Sequence, residues 1–376
     1  MKILELTRSR TACGLLIPLL ILGAGCATTL PLDDARRNFS SGQLEAADQS
    51  LAALPNDQNK VLGLMERGMI RHVRHDYTNS TTDFLAAVRQ EKELETQSIS
   101  KAGASLLVND STLAFRGYPF ERTYLHAYLA KNYLAMGKWE DAGVEARSIA
   151  FKLEKLDGFP DDAFSHYLAG FCLELCGDDS NAAMQYRQVA KLVPESGIDV
   201  TTGRFYPPNA PTNRPLLLSS NGTELVCFLD FDGQYGILPY SATLYANGKL
   251  LGTSRTLTSL YQLQSASRDR MATRQAAKSI SRFLVKGALT VAAWSRDENL
   301  GMLTGLLLFA LEDNDLRRWE TLPAKFAVAR VPCPPDLKQF DVEFRSYSGQ
   351  SVRKITVTSP ICRKDRIFVS LCRDQP

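Results

Sequence analysis

A chain of 376 residues is long enough for two domains of ordinary size, and 44% hydrophobic with 23% charged residues is not the composition of a chain disordered at large scale. Its 44 basic and 41 acidic residues nearly cancel, which excludes a nucleic-acid binder working by bulk positive charge.

Lys2, Arg8 and Arg10 precede a 10-residue apolar block, 14–23, and then come Ala24, Gly25 and Cys26. A basic start, a short apolar run and small residues outline an export signal, and the run is about half the ~20 apolar residues a permanent span needs. The stretch Leu22-Gly23-Ala24-Gly25-Cys26 resembles the lipobox of bacterial lipoproteins, with the leucine one place further from the cysteine than is usual there. The resemblance implies a lipoprotein signal peptide over 1–25, a lipid-modified Cys26 at the head of the mature chain, and a membrane held through that lipid. Ala27, where an aspartate would retain the protein at the inner membrane, implies the periplasmic face of the outer membrane. An ordinary export signal ending in a chance cysteine is the alternative. Loss of Lys2, Arg8, Arg10 and Glu5 with the leader leaves a mature charge of +1.

Residues 33 to about 194 read as paired helices that repeat. Ala130, Tyr133, Gly137, Trp139, Ala142, Ala146 and Ile149 recur, shifted by 40, as Gly170, Leu173, Gly177, Asp179, Ala182, Tyr186 and Val189. Earlier units show Gly68, Arg71, His75, Tyr77, Ser80, Phe84 and Ala87, and, more weakly, Gly42, Ala47 and Leu51. Small residues stand where two helices must cross, and glycine or polar residues stand in the turn between them. The units resemble the tetratricopeptide repeat. That implies an α-solenoid over 26–200 whose concave surface takes another envelope protein.

All four histidines, His72, His75, His126 and His166, fall in this region, where packing explains them. Beyond Cys13 and Cys26 there are six cysteines: Cys172, Cys176, Cys227, Cys333, Cys362 and Cys372. Their even number permits disulfides in an exported chain, but spacing does not give the pairing. Cys172 and Cys176, four apart on a helix, read as buried small hydrophobes.

Between the second and third units, Asn109-Asp110 and Gly117-Tyr118-Pro119 are turn chemistry, with a helix starting near Pro119. Asn109, Asp110, Phe115, Gly117, Phe120 and Glu121, with the later run Asp315-x-Arg317-x-Trp319-x-x-Leu322-Pro323, resemble motifs of a poorly characterised family of tetratricopeptide-containing bacterial envelope lipoproteins. By their chemistry Asn109 and Asp110 are local caps or else ligands, and Arg317 with Trp319 is a corner that locks helix to sheet or else a stacking or bidentate pair.

Four prolines over 203–222 place a linker at 201–222, and residues 223–376 read as a β-rich domain. TELVCFLDFDGQYGILPYSATLYANGKLLG reads as strands joined by turns, with Asn247-Gly248 signalling a hairpin, and FAVARV, FDVEF, VRKITVT and RIFVSL alternate as strands. Asp230-x-Asp232-Gly233 begins like a calcium loop but lacks the glutamate at position twelve, so it reads as a turn. Helices are expected near 265–293 and 299–312, inserted among the strands. In the first, Arg270, Arg274, Lys278, Arg282 and Lys286 fall every fourth residue, opposite an apolar face, and the segment carries +5. Such a stripe either meets anionic headgroups or an acidic partner, or is the solvated or internally salt-bridged outer face of a helix packed on the sheet.

No nucleophile elbow, phosphate-cradling glycine loop or paired metal-ligand motif occurs. The expectation is therefore an α+β, two-domain, lipid-anchored scaffold or adaptor, not an enzyme, with no catalytic residue, metal or cofactor. The alternatives are an anionic lipid- or polymer-binding module and an envelope hydrolase that uses carboxylates alone.

Overall fold

A computed structural model of the chain describes residues 30–54, 56–100, 114–207, 215–232, 237–273, 317–358 and 361–375. Among the described residues, eight α-helices come first and pack in consecutive pairs. They are α1 (Leu30–Ser40) with α2 (Leu44–Ser50), α3 (Lys60–Val73) with α4 (Tyr77–Ser100), α5 (Pro119–Ala135) with α6 (Trp139–Glu154), and α7 (Ala163–Leu175) with α8 (Asp179–Leu192).

The recurrence at 40 residues is carried by contacts. His126 Nδ1 lies 2.6 Å from Glu145 Oε2, and its counterpart His166 Nδ1 lies 2.6 Å from Gln185 Oε1, the same step of 19 residues into the partner helix. His75 departs from the helical expectation: it sits in the turn after α3 with φ of 62°.

Helix pairs meet at glycine. A methyl on Gly68 would stand 2.5 Å from the Phe84 ring, and one on Gly170 would stand 2.8 Å from the Tyr186 ring. Both rings are fully buried and have no room to retreat. Gly68→Ala and Gly170→Ala are each expected to cost about 1–3 kcal/mol by urea titration, despite alanine's better helix propensity.

The strands form two sheets. Five of them, in the order β4-β5-β1-β9-β8, comprise β1 (Thr223–Phe231), β4 (Arg255–Ser259), β5 (Lys325–Cys333), β8 (Ile361–Lys364) and β9 (Ile367–Arg373). The other sheet runs β3-β2-β6-β7, from β2 (Ser241–Ala246), β3 (Lys249–Thr253), β6 (Phe340–Arg345) and β7 (Ser351–Val357). Asn247 and Gly248 both take positive φ, 50° and 75°, in the tight β2–β3 hairpin that their sequence signals. Central strand β1 pairs antiparallel with β5 and parallel with β9.

Every residue of β1 is buried, because its two faces meet different layers. Leu225, Cys227, Leu229 and Phe231 pack against the four-stranded sheet, whereas Val226 and Phe228 join the core of the helices. The order of layers is therefore helices, sheet, sheet. Tyr124 of α5 stacks on Phe326 at 4.5 Å between ring centres, and Phe171 of α7 meets Phe228 edge-on at 5.5 Å.

That arrangement corrects the expectation of an inner helical surface open to a partner. The inner faces of α5 and α7 are covered by the chain's own sheet, and the helical and β-rich regions share an apolar core instead of each closing its own. The expected linker is anchored at its start. Ile198 and Phe205 form a β-bridge, and Arg204 holds Glu224 through two hydrogen bonds of 2.8 and 2.9 Å.

The basic segment begins as a helix, α9, over 260–273, five residues ahead of the expected start. Its continuation, and the helix expected at 299–312, lie outside the described residues. Cys172 is buried, as expected, but Cys176 is exposed at the end of α7, its thiol 3.4 Å from the Trp139 carbonyl.

Candidate functional site

The helix-facing side of β1 reads Glu224, Val226, Phe228, Asp230, so two acids flank an apolar middle. At one end Arg330 of β5 is fully buried. It donates to Glu174 of α7 at 2.6 and 2.8 Å and to Glu224 at 2.6 Å. Burial alone would lower its pKa, but the two carboxylates more than reverse that and hold it charged.

The other end is a polar cluster. Lys131 of α5 donates to Asp230 Oδ2 at 2.6 Å, and the Tyr128 hydroxyl donates to the same oxygen at 3.0 Å. Desolvation pushes the Lys131 pKa down, only partly opposed by Asp230, and raises that of Tyr128. One residue beyond β1, Asp232 receives the Arg373 guanidinium in two bonds, at 2.5 and 2.9 Å. Asp230 Oδ1, by contrast, is buried and has no hydrogen-bond partner.

His72 of α3 completes the cluster. Asn132 donates its amide to Ser80 and Thr81, which turns its carbonyl oxygen toward His72 Nδ1 at 2.6 Å. His72 therefore donates through Nδ1 and keeps Nε2 as an acceptor. Burial, reinforced by the nearby Lys131 charge, lowers its pKa to about 3, so the ring is neutral at ordinary pH.

Two cavities border this cluster, sharing Arg373 and Gln375 in their walls. The smaller, about 210 Å³, is lined by His72, Lys131, Asp230 and Arg353. The larger, about 690 Å³, is a cleft where α1, α9 and the strap before β5 meet. Arg36, Arg37, Tyr261, Gln264, Arg318 and Trp319 line it, with Asp232 and Arg373 at the base.

The strap is fastened by two helix carboxylates. Glu121 accepts the Trp319 N–H at 2.6 Å, while Glu66 accepts the Glu320 N–H at 3.0 Å and the Thr321 hydroxyl at 2.7 Å. Glu121 also accepts the Tyr118 N–H at 2.6 Å and so secures the start of α5. Trp319 is fully buried against Phe84 and Tyr128, at 5.7 and 5.8 Å between ring centres. Arg317 lies over the Phe115 ring at 5.7 Å and donates to Asn59 Oδ1 at 3.0 Å.

No protein-family profile, curated protein or solved structure matches this chain. Its site is read from its own geometry.

Glu121, Arg317 and Trp319, singled out in the sequence, thus converge on one junction between helices and sheet. Of the basic stripe, Arg270 is described. It is half-buried, packed on the turn at Gly158, and donates to the Asp157 carbonyl at 3.0 Å. Cys26, Asn109, Asp110, Asp315, Arg274, Lys278, Arg282 and Lys286 lie outside the described residues. Asp230 belongs to a strand and not to the expected turn, and both acids of the calcium-like fragment are taken by cations of the chain.

Sequence reasoning missed Lys131, His72 and Arg373. The signal available was the alternation in Phe228-Leu229-Asp230-Phe231-Asp232, which puts an acid on the helix-facing side of an otherwise apolar strand. A buried acid at such a place calls for a cation from the facing helix.

Proposed function

We propose that the chain is a lipid-anchored envelope lipoprotein that acts as an adaptor, taking an acidic segment of another envelope protein in the 690 Å³ cleft. The observation that carries this reading is the pairing of a filled inner helical face with an open, arginine-lined cleft beside it. Two of the arginines, Arg37 and Arg318, have side chains 72% and 50% exposed, and among the described residues each has a single carboxylate contact, at 3.0 and 3.6 Å. Planar guanidinium groups suit bidentate capture of a partner's carboxylates, and the exposed Tyr261 ring adds apolar contact.

Wall helix α1 belongs to the first repeat unit, so the partner still engages the tetratricopeptide-like region, at its edge and not along its inner face. Asp230 with Lys131 and Asp232 with Arg373 are committed to each other, an arrangement suited to holding a shape and not to cycling protons. Anchoring through Cys26 at the outer membrane, and kinship with tetratricopeptide-containing lipoproteins, belong to the same proposal and rest on the sequence motifs.

The test is affinity purification from gently cross-linked, detergent-solubilised envelopes, comparing the native chain with Cys26→Ser and with Arg37→Glu/Arg318→Glu. A stoichiometric partner recovered with the native chain, and reduced at least tenfold by the double charge reversal, is expected. Equal recovery with both sinks the cleft as the docking site. Salt-sensitive binding to anionic vesicles without any protein partner would transfer the function to lipid.

A further inference from the structure

Cys227 and Cys372 occupy adjacent parallel strands near the middle of the five-stranded sheet. Cys227 stands opposite Ser370, and Cys372 stands opposite Leu229, so the two are diagonal neighbours. Both side chains point away from the helices into the apolar layer between the sheets, and their sulfurs lie 3.0 Å apart. Of the other described cysteines, Cys176 faces the Trp139 carbonyl, Cys362 the Ala135 carbonyl at 3.1 Å and Cys172 is enclosed in the helical core, while Cys333 packs at the margin of the same apolar layer, at the end of β5 opposite Thr223.

We propose that Cys227 and Cys372 are joined by a disulfide in the exported protein, and that this bond fixes β9 to β1. The inference rests on the export reading above, since thiols of a reducing compartment would stay separate. The oxidant is a thiol–disulfide oxidoreductase or a small-molecule disulfide. One cysteine thiolate attacks its sulfur–sulfur bond and releases one thiol, and the second cysteine then displaces the other. The two cysteine protons and two electrons end on the oxidant's sulfurs, and a single new sulfur–sulfur bond remains in the chain.

The geometry favours this pair. The two sulfurs already stand 3.0 Å apart, and both side chains lie in the apolar layer between the sheets. The residue after Cys372 is Arg373, so the bond would hold the guanidinium against Asp232 at the base of the cleft.

Peptide mapping of the full chain decides the matter. The protein is refolded in a glutathione redox buffer, which makes the outcome independent of cellular location, then alkylated in denaturant and digested with trypsin without reduction. The expected product joins peptide 205–249, which contains Cys227, to peptide 367–373, which contains Cys372, and reduction separates them. Both peptides alkylated before reduction, or either joined to a different cysteine, would overturn the proposal. Reductant should also lower the Tm of the native chain by roughly 5–15 °C, because the bond closes a long loop, and should leave Cys227→Ala/Cys372→Ala unmoved. A native Tm indifferent to reductant overturns the proposal as well. Failure of the export reading would show differently, as a bond that forms in the refolded protein but is missing from protein taken from cells.

Discussion

Lys131→Ala is expected to lower the unfolding free energy by about 3–5 kcal/mol, the range for removing one partner of a buried ion pair. Lys131 is 1% exposed and Asp230 2%, so neither charge can turn to bulk water. Without the ammonium, the carboxylate keeps only the Tyr128 hydroxyl, and its other oxygen is already without a partner. Lys131→Met/Asp230→Leu should recover most of the loss, because desolvation of both charges disappears with the pair. Urea unfolding of Lys131→Met, Asp230→Leu and the double variant closes the cycle. A cost below about 1 kcal/mol for Lys131→Ala would mean that water enters the small cavity and replaces the ammonium.

Acid should destabilise the protein well before its carboxylates protonate. His72 has a folded pKa of about 3 against 6.5 unfolded, so between those values the unfolded chain binds the extra proton. Its contribution is complete above pH 6.5 and is lost as pH falls toward 3. At about 1.4 kcal/mol per pH unit, this amounts to roughly 2–3 kcal/mol between pH 7 and 4.5. His75, lowered by burial, adds in the same direction. His166 acts in a different window. Burial opposes its charge, but the Asp161 hydrogen bond and charge raise its pKa overall, so its contribution is full below pH 6.5 and fades only as pH rises. His72→Gln should therefore flatten the slope between pH 6.5 and 4.5 and leave the neutral limb alone. An unchanged slope would remove His72 as its source.

The local grammar of this chain was largely legible. Glycine at helix crossings, the start of α5 at Pro119, the Asn247-Gly248 hairpin and the alternating strands all follow from short-range rules that the chain obeys. What escaped depends on pairing between residues 60 to 156 positions apart. A lysine within Ala130-Lys131-Asn132 looks like a surface residue until β1 is laid against α5. Arg330 likewise reads as the solvent side of an alternating strand, yet that side faces α7 and Glu174. The covered inner face of the helices was hidden for the same reason: an amphipathic helix shows that one face is buried but not what buries it.

The central strand also sets an order of assembly during synthesis. β1 finds its neighbours in β5 and β9, which start at Lys325 and Ile367, so about a hundred residues or more must be translated after β1 before its ladders can close. Until then both edges of β1 lack their flanking strands, and α5 and α7 lack the surface that completes their packing. A nascent chain in that condition has its local helix pairs available early but leaves the apolar surfaces of β1, α5 and α7 uncovered until the last strands emerge.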